Sequence, residues 1–194
     1  DKIFSSNGKY RVGHSALILV NSNSGQLHYF DFGRYETPIG FGRVRDQTTD
    51  PQLVLNTNAL IKNSNIKNIN SILLEVSKIK ITNGEGKMYA SILSNISFQK
   101  GYEYAKAMQK KGMVDYGPLV IGGTNCSRFV ASLMISANPD FYVKLRLRFP
   151  FCISASPKRN ISIANTNYYV INNMICHEVS KTFLKSYFTS IERL

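Results

Sequence analysis

The chain has no tryptophan, only three cysteines among 194 residues, and half as many acidic side chains (12) as basic ones (24). Each shortage excludes something. Three cysteines, Cys126, Cys152 and Cys176, have no paired metal-ligand spacing, so no zinc ribbon or finger is expected, and the odd count leaves at least one thiol free. Cys152 and Cys176 could pair in an oxidising compartment, or both could be buried thiols. No apolar run approaches the roughly 20 residues that span a bilayer; the longest, Ala16 to Val20, has the length of a strand. Nothing at the start resembles a signal peptide, and the first residue is Asp1, which fits a processed mature form or an excised domain. The net charge of +12 favours polyanions: an anionic envelope polymer, a membrane surface or an acidic inhibitor. Nucleic acid is not expected, because the basic residues are spread out and form no dense stripe interleaved with aromatics. With 43% hydrophobic and 19% charged residues, the composition is that of a globular protein, and its length suits a single domain, 1–194.

Val12 to Val20 and Gln26 to Phe32 flank Asn21-Ser22-Asn23-Ser24-Gly25, the composition of a β-hairpin with its turn. Gly33 to Pro51 reads as a long surface loop with one or two short strands. Strands are predicted at Ile72 to Ile81, Val143 to Ile153 and Tyr168 to Asn172. Helices are predicted at Glu85 to Asn95, Phe98 to Lys111, Asn125 to Ala137 and Glu178 to Glu192. The mixture indicates an α+β fold.

Two segments carry chemistry. In Gly122-Gly123-Thr124-Asn125-Cys126-Ser127-Arg128-Phe129-Val130, a glycine turn feeds a cysteine into the first turn of a helix that Thr124 or Asn125 caps. There the unpaired backbone N–H groups and the helix dipole favour a thiolate and can stabilise an oxyanion. In Gly13-His14-Ser15-Ala16-Leu17-Ile18, a histidine opens an apolar strand and needs a polar partner. Two of the hairpin registers the turn allows place Asp31 on the same face as His14, where a carboxylate orients the imidazole. Cys126, His14 and Asp31 are therefore the candidate catalytic residues, with His28 and His177 as alternative bases. Arg34, Tyr35, Tyr116 and Asn125 are candidate substrate-binding residues, with Arg43 and Arg45 of the same loop as further contacts. For the dyad to meet, the hairpin is expected to pack its Ala16 and Ile18 side on the Phe129, Val130 and Leu133 face of the Cys126 helix.

These segments resemble the NlpC-type cysteine peptidases of the papain-like superfamily. The nucleophile motif of that family is an aromatic, a glycine pair and D-C-S-G-F/L-V, matched here by Tyr116, Gly122-Gly123 and Asn125-Cys126-Ser127-Arg128-Phe129-Val130. Its histidine motif, G-H-V-G-I-Y, is matched by Gly13 to Ile18. Asn125 stands where the family has Asp, and Arg128 where it has Gly. Histidine precedes cysteine here, an order similar to that of the circularly permuted branch, which includes lecithin:retinol acyltransferase-like proteins. The resemblance implies an antiparallel sheet packed against a nucleophile-bearing helix, no metal and no cofactor. It also implies a monomer that cleaves peptide crosslinks of bacterial peptidoglycan, secreted or periplasmic. The permuted branch adds lipid and acyl-thioester substrates. An effector or toxin restrained by an acidic immunity protein, and a catalytically idle module binding polyanions in the same cleft, are the other readings.

Overall fold

The computed structural model describes residues 5–6, 9–10, 13–82, 86–117, 120–148 and 156–182. Two short strands, β1 (Ser5–Ser6) and β2 (Lys9–Tyr10), pair with each other ahead of the main sheet. That sheet is built from β3 (Ala16–Val20), β4 (Leu27–Gly33), β5 (Phe41–Arg45) and β9 (Val114–Asp115), in the order β3-β4-β5-β9 and antiparallel throughout. Between β5 and β9 the chain forms a small ribbon, β6 (Ile61–Lys62) with β7 (Asn65–Ile66), then α1 (Ile69–Ser77), β8 (Met88–Ala90) and α2 (Phe98–Lys110). After β9 come α3 (Cys126–Ser136), α4 (Phe141–Arg148), α5 (Pro157–Ala164), β10 (Asn167–Asn172) and β11 (Ile175–Ser180). A second antiparallel sheet has the order β11-β10-β8.

Alternation along the hairpin sorts its side chains onto two faces. Leu17, Leu19, Phe30 and Phe32 belong to one cluster with Ala105 of α2 and with Phe129, Val130, Leu133 and Met134 of α3. Burial of each large apolar side chain contributes about 1.5–3 kcal/mol, so this face holds the helix that carries the cysteine. Ile18, Val20 and Leu27 lie on the opposite face and pack with Ala59 and Ile72. The expected α+β arrangement, an antiparallel sheet against the helix that starts at Cys126, is present. The face is not the expected one: α3 takes the Leu17 and Leu19 side rather than the Ala16 and Ile18 side. The reason is chemical. The Ala16 side carries Asp31, which pairs with Ala16 in the register, and an apolar helix face would strand that carboxylate.

The hairpin, α2, α3 and β10 form as the sequence predicts. Four elements do not. Ile72 to Ile81 is rich in β-branched residues, yet Ile69, Ile72, Leu73 and Val76 recur at helical spacing and lie in α1, followed by a 3-10 turn at Lys80–Thr82. The helix predicted from Glu85 gives way to β8, because β10 offers a free edge: Met88, Tyr89 and Ala90 pair with Ile171, Val170 and Tyr169. Val143, Leu145 and Leu147 alternate with Lys144, Arg146 and Arg148 as a strand would, but Phe141–Arg148 is helical and packs on α3 and α5. Tertiary contact overrides the local pattern there. Of the predicted C-terminal helix, Glu178 to Ser180 are strand, and residues 183–192 lie outside the described residues, as do Cys152 and the remainder of the Val143 to Ile153 segment from 149 on.

Candidate active site

Cys126 is the first residue of α3. Asn125 is extended (φ −135°, ψ 176°), and its Oδ1 accepts the Arg128 N–H at 2.9 Å, so the cap expected from sequence is formed. The thiol is largely buried, with 8% of the residue exposed. Its Sγ lies 3.9 Å from the Gly13 carbonyl oxygen and 3.9 Å from Ser127 Oγ. The cysteine thus meets the residue before His14 at the end of the sheet, where the chain enters β3.

His14 Nε2 is 2.9 Å from Asp31 Oδ2. The register that produces this pairs Ala16 with Asp31, leaving His14 one step beyond the paired strand but on the carboxylate's face. Asp31 is wholly buried and receives three further hydrogen bonds. Arg45 Nε donates to Oδ1 at 2.9 Å and Nη2 to Oδ2 at 2.7 Å, while the Tyr29 hydroxyl donates to Oδ2 at 3.1 Å. Burial pushes the Asp31 carboxyl up, but the hydrogen bonds and charges of His14 and Arg45 outweigh it and hold it below the ordinary carboxylate value. The carboxylate is therefore ionised and acceptor-only, so His14 Nε2 is the donor in this hydrogen bond. The Tyr35 hydroxyl stands 3.4 Å from that Nδ1, and its ring is edge-on to the imidazole at 5.9 Å.

Tyr116 also borders the cysteine. Its ring stacks on Phe32 at 5.7 Å and 5°, and the Arg34 guanidinium lies 5.2 Å from its centroid. Burial raises the Tyr116 hydroxyl, and the Cys126 charge and a side-chain hydrogen bond to Cys126 raise it further, so the phenol stays protonated beside the sulfur. Gly42 makes room for this stack: an added Cβ would sit 2.8 Å from Phe32 and 2.9 Å from Tyr116. At Gly33 an added Cβ would run into the Tyr35 ring. The two glycines hold open the positions of the two tyrosines.

A family model described as type VI secretion system effector, TseH-like, matches residues 2–142. The chain belongs to the TseH-like type VI secretion effector family. The crystal structure of the type VI secretion system effector TseH matches with a TM-score of 0.61 and 21% identity, over 87% of this chain and 88% of that one. Comparison with curated proteins gave no match. At that identity the likeness shows a shared fold, and within this TseH-like fold the remaining sequence candidates can be placed.

Arg34 is exposed beside Tyr116, and Tyr35 is half-buried beside His14, so both border the cysteine–histidine corner. Asn125 caps α3, with its oxygen committed to the helix. Arg43 and Arg45 are not the exposed loop contacts that their sequence context suggests. Arg43 donates to both oxygens of Asp50 at 2.7 and 2.8 Å and to the Tyr35 carbonyl at 2.9 Å. Arg45 is buried on Asp31, because β5 pairs with β4 and sets Arg45 directly opposite it. Of the alternative bases, His28 packs against Phe98 and Tyr102, where burial lowers its pKa, and His177 is exposed on β11 in the second sheet. Sequence reasoning missed Tyr29 and Arg45 as partners of Asp31. The Tyr29–Asp31 alternation was a legible signal; Arg45 needed the β4–β5 register. Among the described residues no group of three or more His, Cys, Asp or Glu is placed to hold a metal ion.

Proposed function

We propose that the chain is a cysteine-dependent amide hydrolase, delivered as an effector, that cleaves peptide crosslinks of bacterial peptidoglycan. One observation carries this reading: the part-buried His14–Asp31 hydrogen bond at the sheet end where the Cys126 sulfur, on a capped helix N-terminus, contacts Gly13. The whole chain, 1–194, acts as one permuted papain-like unit with His14 ahead of Cys126.

In this mechanism His14 Nδ1, the nitrogen that Asp31 leaves open, takes the Cys126 proton as Sγ bonds to the scissile carbonyl carbon. The carbonyl π electrons move to oxygen, and the oxyanion is met by the Cys126 N–H and the protonated Tyr116 hydroxyl. Collapse breaks the C–N bond, and the imidazolium returns its proton to the departing amine. Water, deprotonated by His14, then cleaves the thioester and restores the thiol. Arg34 and Tyr35 border the approach to the sulfur and contact the substrate, and the +12 charge attracts the anionic envelope polymer. The same charge suits an acidic immunity protein as the producing cell's safeguard.

Incubation of the purified protein with bacterial peptidoglycan, with released amines and muropeptides read by mass spectrometry, tests the reading. New amino termini at crosslinks are expected with the native chain and none with Cys126→Ala. Equal release by both proteins, or release of sugar reducing ends instead, overturns it.

A further inference from the structure

Arg45 has no part in the mechanism above, yet it is the largest fully buried side chain among the described residues. Its guanidinium forks onto both oxygens of Asp31, donates to the Ile81 carbonyl at 3.4 Å, and lies 3.3 Å from the centroid of the Tyr35 ring. It therefore touches the two residues that bracket the imidazole: Asp31 at Nε2 and Tyr35 at Nδ1. A carboxylate that merely oriented a histidine would need no second cation. A buried carboxylate without one would also draw a proton onto that histidine, since an unbalanced charge within 4–6 Å moves a pKa by about 1–3 units.

We infer that Arg45 is a positioning residue for the base: its fork holds the Asp31 carboxylate against His14 Nε2 and offsets its charge, so that Asp31 orients the imidazole without fixing an extra proton on it. Asp31 and the Tyr35 hydroxyl contact His14 directly; Tyr29 from β4 and Arg45 from β5 bond to Asp31, Cys126 at the head of α3 contacts the neighbouring Gly13, and Tyr116 just after β9 lies beside Cys126. Burial and the Asp31 charge push the Tyr35 hydroxyl up to about 12, and Tyr29 and Tyr116 are raised as well, so all three phenols remain neutral through the range in which histidine titrates. Asp31 and Arg45 are the fixed charges of the cluster, and they offset each other. The catalytic meaning of this rests on the proposed hydrolase reading; the charge balance itself does not.

The test is the titration of His14, followed by NMR on the substrate-free protein with His14→Ala assigning its resonance. Arg45→Gln keeps a hydrogen-bond donor but removes the charge, and should raise the His14 midpoint by about one unit or more. Arg45→Lys should restore it. Asp31→Asn, which leaves Arg45 unbalanced, should lower it, and the double variant Asp31→Asn/Arg45→Gln should return it to the native value. An unchanged midpoint in Arg45→Gln, with only stability lost, reduces Arg45 to a structural residue and overturns the inference. Should that variant fail to fold, the double variant decides: a midpoint well below native, as Asp31 alone would dictate, also overturns it. The titration needs no activity. A shift as expected in a protein that cleaves no amide would sink the proposed hydrolase and leave the role of Arg45 standing.

Discussion

Replacing Asp31 with Asn leaves the shape of the side chain nearly unchanged, so its effect isolates the charge. The native carboxylate is fully buried and the Arg45 side chain is 1% exposed, with two N–H···O bonds of 2.9 and 2.7 Å between them. The amide that Asp31→Asn introduces can keep one of those bonds but not the counter-charge. Breaking a buried pair by removing one partner costs about 3–5 kcal/mol, because the other charge stays desolvated. A domain of this kind has about 5–15 kcal/mol in all. With a urea m-value of about 2 kcal/mol/M, the unfolding midpoint should fall by about 1.5–2.5 M. Arg45→Met made in the Asp31→Asn background removes the stranded guanidinium and should recover most of that loss. The measurement is equilibrium urea unfolding by circular dichroism at neutral pH, with m constant across the variants. A loss below about 1 kcal/mol for Asp31→Asn, the range of a surface ion pair, or a double variant no more stable than the single, would refute the buried-pair account.

His14→Ala should abolish peptidoglycan cleavage, whereas His177→Ala, on the exposed strand β11, should leave it unchanged; a dispensable His14 would remove the base from the mechanism. Iodoacetamide at neutral pH should modify Cys126 faster than Cys176, whose thiol is raised first by burial and then by the Glu178 charge; peptide mapping reads the ratio, and preferential labelling of Cys176 contradicts the site. Acid should unfold the protein in a defined window. Burial acts to raise Asp46, but hydrogen bonds from Lys106, Thr48 and Gln109 bring it down to about 2. A carboxyl depressed in the folded state stabilises fully above its unfolded value, here 3.8, and that stability is lost as pH falls toward 2. Asp46→Asn should therefore flatten the pH dependence of stability between about pH 4 and 2, and an unaltered slope there would count against it.

Local chemistry was enough to write down much of this protein. The cap at Asn125 and the helix starting at Cys126 follow from a side chain that accepts a backbone N–H and a glycine turn before it. The hairpin follows from its turn, and the common face of His14 and Asp31 from the two-residue period of a strand. Those signals lie within a few residues of the atoms they place. What tertiary structure decided involves partners distant in sequence. The β8 segment became a strand because β10 had an edge to pair with, and α4 became a helix because α3 and α5 offered surfaces, although its own alternation reads as β. Which hairpin face takes α3 depended on where a buried carboxylate could find its donors. Arg45 is 14 residues from Asp31 in sequence and looks like a loop cation until β5 pairs with β4 and sets them opposite each other. A buried charge is stable only with its partner in place, and the partner is chosen by the register between strands rather than by the residues on either side of it.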